Sequence, residues 1–185
     1  MISWRLARFD ELSPREIHDI FQARIEVFVV EQKCVFQDLD GVDPVAWHLM
    51  GIAPSSRPSP QGEKENFSLS LQGEGRGEGA LVAYCRLVPP GKKFAEPSIG
   101  RVLTTGSARR SGAGRELMRR AVDHASRLWP GRALRIGAQK YLEHFYGEFG
   151  FVTASEPYDE DGIPHVEMLR AASAIPDTGA RSIGQ

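Results

Sequence analysis

The chain has 185 residues, of which 41% are hydrophobic and 25% are charged, and its formal net charge at pH 7 is −1. This length suits one domain with its own core. A net charge so close to zero gives no long-range attraction to nucleic acid or to an anionic membrane, so we expect neither as a partner. The sequence has no long apolar run and no secretory signal at its N-terminus, so we expect a cytoplasmic protein.

The two cysteines predict neither a disulfide framework nor a metal site. Cys34 and Cys85 each stand alone among apolar neighbours. Neither belongs to a spacing of the kind that binds zinc. We therefore predict two reduced core cysteines and no bound metal.

The N-terminal part predicts a strand followed by an amphipathic helix. Residues 2–7 alternate between apolar and polar, which is typical of a half-buried strand. Ser13 and Glu16 then match a capping box around Pro14, and apolar residues recur at helical spacing to about Val29. Residues 31–43 are acidic and lack a period, so we predict an ordered loop there.

A low-complexity segment interrupts a predicted hairpin. Residues 47–52 and 80–88 read as strands, whereas residues 53–79 between them are rich in Pro, Ser, Gly and charge. Such a segment cannot bury enough apolar surface to offset the entropy of ordering it. We predict a disordered insertion at the tip of the hairpin, where added length costs little and no chemistry is expected.

Strands and helices then alternate through the second half of the chain. Helices are predicted from about Arg115 to Leu128 and from Tyr141 to Phe149. Further strands are predicted at 98–105, 133–138, 151–154 and 166–169. Together these elements predict a mixed α/β (α+β) fold with a sheet of six or seven strands. We expect one domain over 1–170 and a flexible tail at 171–185.

Residues 104–117, TTGSARRSGAGREL, carry the strongest chemical signal. A strand leads into a basic turn that opens directly into a helix, whose first N–H groups lack intrahelical partners and attract anions. Gly112 and Gly114 let a phosphate approach the main chain, and Arg109, Arg110 and Arg115 add positive charge. The pattern favours a pyrophosphate cradle. A basic, solvated turn without a ligand is the alternative.

Two other phosphate motifs match this turn less well. A Walker A loop requires Gly-Lys followed by Ser or Thr, and here Arg115 and Glu116 follow the glycines. A Rossmann turn requires a third glycine, and that position is Leu117.

Two motifs resemble those of the Gcn5-related N-acetyltransferase (GNAT) family. Arg109, Gly112 and Gly114 match its Q/R-x-x-G-x-G/A signature, and residues 145–151, FYGEFGF, match its tyrosine-bearing helix followed by Gly-Phe. More narrowly, the chain is similar to the ElaA-type branch in the segments FVVEQKCVFQDLDGVD, IGRV, GAQ and YDEDGIPHVEM. The resemblance extends to about Arg170 and implies the acyl-CoA N-acyltransferase fold, with a mostly antiparallel central sheet flanked by helices.

The resemblance implies acetyl-coenzyme A as the donor and an amine as the acceptor. In this family the pantetheine arm lies along the splayed strand, the pyrophosphate lies on the glycine turn, and a further contact follows the next strand. The implied cofactor-binding residues are Val102, Leu103, Thr104, Arg109, Arg110, Ser111, Gly112, Ala113, Gly114, Arg115 and Gln139.

The implied reaction is direct attack of a primary amine on the thioester, which requires a base, an oxyanion donor and an acid for the thiolate. Tyr146 matches the family's tyrosine near the coenzyme sulfur, although a core aromatic residue is the alternative. His48 and His165 are candidate bases because histidine titrates near neutral pH, although a lone histidine more often only packs. Glu31 and Asp40 lie where the family forms its acceptor pocket, although a solvated acidic loop explains them equally well.

Two other functions remain open at this level. One is acyl transfer to a different acceptor, as in relatives that make acyl-homoserine lactones. The other is an acyl-CoA-binding module that senses the cofactor without turning it over. The acceptor itself is not identified by the sequence, and a homodimer is compatible with it.

Overall fold

The computed structural model describes residues 1–54 and 79–172. These residues belong to two compact units, one formed by 1–86 with 101–117 and the other by 87–100 with the chain from 118 onward. The insertion predicted at 53–79 and the tail predicted at 171–185 lie almost wholly outside the described residues.

The described strands form one mixed sheet of eight strands in the order β1-β2-β3-β4-β5-β8-β6, with β7 paired to β8. β4 and β5 run parallel. The strands are β1 Ser3–Arg8, β2 Trp47–Pro54, β3 Gly79–Val88, β4 Ser98–Thr104, β5 Leu134–Gln139, β6 Val152–Thr153, β7 Tyr158–Glu160 and β8 Ile163–Arg170. The predicted fold class is confirmed, with one strand more than expected. The added strand is β7, which at three residues is too short and too acidic to show an alternating pattern.

The first unit is built around β1, β2 and the helix α1 (Pro14–Arg24). β1 pairs antiparallel with β2, from Ser3 opposite Ile52 to Arg8 opposite Trp47. The predicted capping box of α1 is confirmed, since the Glu16 amide donates to the Ser13 hydroxyl at 3.2 Å and the Ser13 amide donates to the Glu16 carboxylate at 2.9 Å. The core cluster of this unit contains Ala7, Leu12, Ile20, Ala23, Val27, Met50, Tyr84 and Leu103.

The first helix changes its form after Arg24. Ile25–Glu31 is a π-helix of seven residues, and the amide of Gln32 donates to the carbonyl of Val27 at 3.3 Å, an i→i+5 bond. The amphipathic helix predicted to about Val29 is present, but from Ile25 onward it is π-helical rather than α-helical, a difference that apolar spacing does not reveal. π-helical segments are rare and concentrate at functional sites.

The second unit is built around the antiparallel pair of β5 and β8, which runs from Leu134 opposite Arg170 to Gln139 opposite His165. Side chains alternate between two faces of this pair. One face is buried and contains Leu134, Ile136, Ala138, Val166 and Met168. The other face is partly exposed and carries Arg135, Gln139, His165 and Glu167.

Two helices accompany the later strands. α2 spans Ala113–Leu128 and buries Leu117, Met118, Ala121 and Ala125, as its predicted apolar face requires. α3 is shorter than predicted, because a 3-10 turn at Lys140–Leu142 precedes it and only Glu143–Gly147 is α-helical.

Candidate active site

The glycine turn between β4 and α2 has left-handed backbone at two positions. Arg110 has φ of 63° and Gly112 has φ of 88°. A Cβ on Gly112 would meet no atom within 4 Å, so backbone conformation rather than crowding makes glycine suitable there. The turn thus reverses the chain directly before the first residue of α2.

Hydrogen bonds within the turn hold its shape. The Ser111 hydroxyl donates to the carbonyl of Ala108 at 2.6 Å and accepts from the amide of Ala113 at 3.4 Å. The amide of Thr105 donates to the carbonyl of Val82 on β3 at 3.0 Å, which anchors the start of the turn. The α2 N-terminus that follows has first-turn amides and a positive dipole end, so this segment is suited to an anion.

Arg109 and Glu31 form an ion pair in the structure. The Nη2 atom of Arg109 contacts the Oε2 atom of Glu31, and the two side chains are 45% and 34% exposed. Glu31 is the last residue of the π-helix, and Arg109 directly follows the 3-10 turn Gly106–Ala108. The structure therefore joins a predicted acceptor residue to a predicted cofactor residue.

Asp40 belongs to a closed ring of alternating charges. Each of three arginines bonds two of three aspartates, so that every member has two partners of opposite charge. The order around the ring is Arg24, Asp38, Arg101, Asp40, Arg86 and Asp43. The arginines come from α1, β3 and β4, whereas all the aspartates come from the loop 38–43. The ring therefore clamps this loop to three framework elements.

The ring is buried at its core. Arg24 and Arg86 are 0% and 1% exposed, and the Asp38 and Asp43 side chains are 4% and 5% exposed. Nε of Arg24 donates to Asp38 at 2.9 Å, and Nη1 donates to Asp43 at 2.6 Å. The opposite charges make such burial tolerable, because an unpaired buried charge is strongly destabilising, although the Nε atom of Arg86 has no hydrogen-bond partner among the described residues.

Asp40 is the most exposed aspartate of the ring. Burial acts to raise its pKa, but the hydrogen bonds from Arg86 and the Val42 amide, together with the charges of Arg86 and Arg101, outweigh burial and hold the pKa of the Asp40 carboxyl well below its usual range. Because Arg86 and Arg101 already offset its charge, Asp40 offers little net charge to a cationic amine. Its predicted acceptor role stays a prediction without support from this geometry.

His48 lies in the core of the first unit with both ring nitrogens occupied. Nε2 lies 3.1 Å from the carbonyl of Asp43, which can only accept, so Nε2 carries the proton. Nδ1 lies 2.8 Å from the Tyr84 hydroxyl and accepts from it. The residue is 0% exposed, and burial lowers the pKa of His48. These contacts do not support His48 as a base.

His165 has an arrangement better suited to a base. Nδ1 lies 2.8 Å from the carbonyl of Ile163, which can only accept, so the neutral ring carries its proton on Nδ1 and its lone pair on Nε2. His165 is partly buried on the same sheet face as Gln139, its cross-strand partner. The lone pair on Nε2 is the feature that a general base requires.

Tyr158 is a neighbour of His165 that the sequence did not single out. The two rings stack with centroids 6.0 Å apart. A Cβ on Gly137 of β5 would lie 3.3 Å from the Tyr158 hydroxyl, so that hydroxyl lies close over the glycine. Burial raises the pKa of Tyr158 to about 12, so the hydroxyl keeps its proton at neutral pH. An isolated glycine inside a strand signals such a close approach.

Tyr146 is 7% exposed at the end of α3. Its ring packs edge-on against Phe145 at 5.2 Å and against Phe151 at 6.4 Å between centroids. The aromatic contacts fix the direction of the ring. They are compatible with an acid held in place and with a core aromatic, so both alternatives stay open.

The described part of the chain contains no group of three His, Cys, Asp or Glu side chains that could hold a metal ion. Within the same residues, no helix is both long and apolar enough to cross a membrane.

Comparison with known proteins identifies the family. A family model described as an acetyltransferase (GNAT) domain matches residues 76–171. An acyl-CoA N-acyltransferase from Pseudomonas aeruginosa superimposes with a TM-score of 0.75 at 36% identity, covering 92% of this chain and 100% of the other. The chain belongs to the GNAT family, whose members transfer acyl groups from acyl-CoA donors.

Its relatives lie in the ElaA-type branch, as the sequence segments predicted. Protein ElaA of Escherichia coli is 33% identical over 172 residues, covering 92% of this chain and 97% of ElaA. A UPF0039 protein of Synechocystis is 39% identical over 168 residues, covering 91% and 94% of the two chains. The crystal structure of Escherichia coli ElaA superimposes with a TM-score of 0.74.

Proposed function

We propose that the protein transfers an acetyl group from acetyl-CoA to a primary amine. The turn before α2 is the observation that supports this most strongly, because its left-handed Arg110 and Gly112 lead a basic segment into a helix N-terminus. The family model that matches the chain is described as an acetyltransferase, which favours acetyl as the acyl group.

The proposed cofactor contacts are the residues of this chain that match the positions at which GNAT family members contact coenzyme A. Val102, Leu103 and Thr104 on β4 are the proposed contacts of the pantetheine arm, and the turn from Arg109 to Arg115 is the proposed diphosphate site. Gln139 is a further proposed contact. A main-chain N–H near Leu103 or Thr104 is the proposed donor to the oxyanion, since a preformed donor stabilises charge that develops on the carbonyl oxygen.

The proposed chemistry requires two proton transfers. An amine near neutral pH is mostly protonated and has to lose a proton before its nitrogen attacks the thioester carbon. His165 is the proposed base, directly or through water, because its Nε2 carries the lone pair. The C–S bond then breaks, and the Tyr146 hydroxyl is the proposed donor of a proton to the departing thiolate.

Acetyl-CoA is expected to raise the melting temperature of the wild-type protein in a dose-dependent way. A ligand that binds only the folded state stabilises it by about 2.7 kcal/mol at a hundred times its dissociation constant. Thermal-shift titration measures this directly. Arg109→Glu and Gly112→Glu place negative charge in the turn and should abolish the shift.

A folded wild-type protein that shows no shift at millimolar acetyl-CoA would contradict the proposed function. Stabilisation by acetyl-CoA without release of free CoA thiol, across a panel of primary amines, would instead favour a sensor that binds the cofactor and does not turn it over.

Replacing His165 by glutamine is expected to lower kcat roughly tenfold at neutral pH, which is less than the roughly 100-fold or more that complete loss of a general base costs, because a water chain can carry part of the proton transfer. Raising the pH should reduce the deficit, since more of the amine is then already deprotonated. The measurement is the release of free CoA thiol as a function of pH. The matched control is His124→Gln on α2, which should keep the wild-type profile. An unchanged kcat in His165→Gln would remove His165 from the mechanism.

A further inference from the structure

The carboxylate of Glu31 is held against the most basic part of the glycine turn. Glu31 contacts Arg109, which lies in the turn next to Arg110 and a few residues before Arg115 in the first turn of α2. A phosphate group bound at this turn would share Arg109 with a carboxylate of like charge. Like charges at such distances repel, and the repulsion is larger near a protein surface than in bulk water.

We propose that Glu31 competes with the diphosphate of coenzyme A for Arg109 and so weakens cofactor binding. This inference rests on the proposed cofactor site and adds a residue that sets its affinity. Phosphate accepts the charge-assisted N–H bonds of arginine as a carboxylate does, and with more charge, so the exchange favours the phosphate.

The Glu31–Arg109 pair has the properties of an exchangeable contact. Both side chains are more than a third exposed, at 34% and 45%, so water competes with each partner. Ion pairs at such positions contribute little to stability. The buried Arg24–Asp38 pair of the same unit is the contrast, with side chains 0% and 4% exposed. Glu31 is therefore free to leave Arg109 without loss of the fold.

The π-helix explains why Glu31 reaches the turn. A helix with i→i+5 bonds has more residues in each turn than an α-helix, so it rotates the chain less over Ile25–Glu31. The bond from the Gln32 amide to the Val27 carbonyl keeps this wide form up to the last residue. Val27 is buried in the core cluster, which fixes the helix while Glu31 at its end stays at the surface. The direction of Glu31 is thus set by the framework.

Calorimetric titration of the full-length protein with coenzyme A tests this competition. Glu31→Gln keeps the size of the side chain and removes its charge, and the expected result is about three- to tenfold tighter binding of coenzyme A, an effect that shrinks as salt is added. Pantetheine, which lacks the diphosphate, should bind wild type and Glu31→Gln equally. The matched control is Glu26→Gln, an exposed carboxylate in the same π-helix, which should leave the affinity unchanged.

A double variant tests whether the effect passes through Arg109. In an Arg109→Gln background, Glu31→Gln should change the affinity for coenzyme A by less than about twofold. Unchanged or weaker binding by Glu31→Gln alone, with wild type binding normally, would overturn the competition and show that Glu31 instead orients Arg109 for the phosphate. Failure of wild type itself to bind coenzyme A would remove the proposed function and this inference together, so the two failures are distinguishable.

Discussion

Replacing Asp43 by alanine is expected to lower the free energy of unfolding by about 3–5 kcal/mol. Asp43 bonds Arg24 at 2.6 Å and Arg86 at 3.1 Å, and its side chain is 5% exposed. Alanine leaves two buried guanidinium groups short of one partner each. For a chain of this size the loss corresponds to a fall of roughly 6–20 °C in the melting temperature.

Thermal and urea unfolding of Asp43→Ala and of a control variant measure the loss of stability. Asp10→Ala is the matched control in the same unit, because Asp10 is 81% exposed and lies 3.8 Å from Arg8. Exposed pairs of this kind contribute at most about 1 kcal/mol. A fall for Asp43→Ala no larger than that for Asp10→Ala would show that the ring does not hold the loop 38–43.

Replacing Tyr146 by phenylalanine is expected to lower kcat by about 100-fold or more, with little change in the KM for acetyl-CoA. The substitution keeps the ring and its contacts with Phe145 and Phe151, so the aromatic packing survives. Only the hydroxyl proposed to protonate the thiolate is lost. Steady-state release of free CoA thiol measures kcat, and a thermal melt confirms that the variant is folded.

Tyr141→Phe is the matched control for this measurement, because Tyr141 precedes the same helix and is 73% exposed. It should keep the wild-type kcat. If Tyr146→Phe also kept the wild-type kcat within about twofold, general acid catalysis by this hydroxyl would be excluded, since it is worth at least 100-fold. Tyr146 would then be a core aromatic residue.

The glycine turn and the Glu31–Arg109 pair have a common consequence for cofactor affinity. The turn supplies the amides and arginines that suit a diphosphate, whereas Glu31 adds a negative charge beside them. Under the proposed function, the affinity for coenzyme A is a balance between attraction by the arginines and repulsion by Glu31, and both respond to ionic strength.

Features of the fold with a local signal were predictable from the sequence. The capping box of Ser13 and Glu16, the apolar faces of α1 and α2, and the strand periodicities are set by neighbours within a few residues. Backbone propensity and side-chain spacing act at that range, so these features can be predicted from the sequence. The glycine turn was located in the same way, through the residue types that left-handed backbone and a helix start require.

Tertiary structure alone decided which charged and titratable groups meet. The three arginines of the ring lie 14 to 63 residues from the aspartates they bond, and no local pattern encodes such pairing. His48 and His165 look alike in sequence, yet one has both nitrogens occupied in the core and the other keeps a lone pair on Nε2. The sequence by itself determined most of the elements, the family and the glycine turn. The tertiary structure determined which candidate side chains have an unneutralised charge or an available lone pair. These properties depend on partners that distant segments bring together only when they pack.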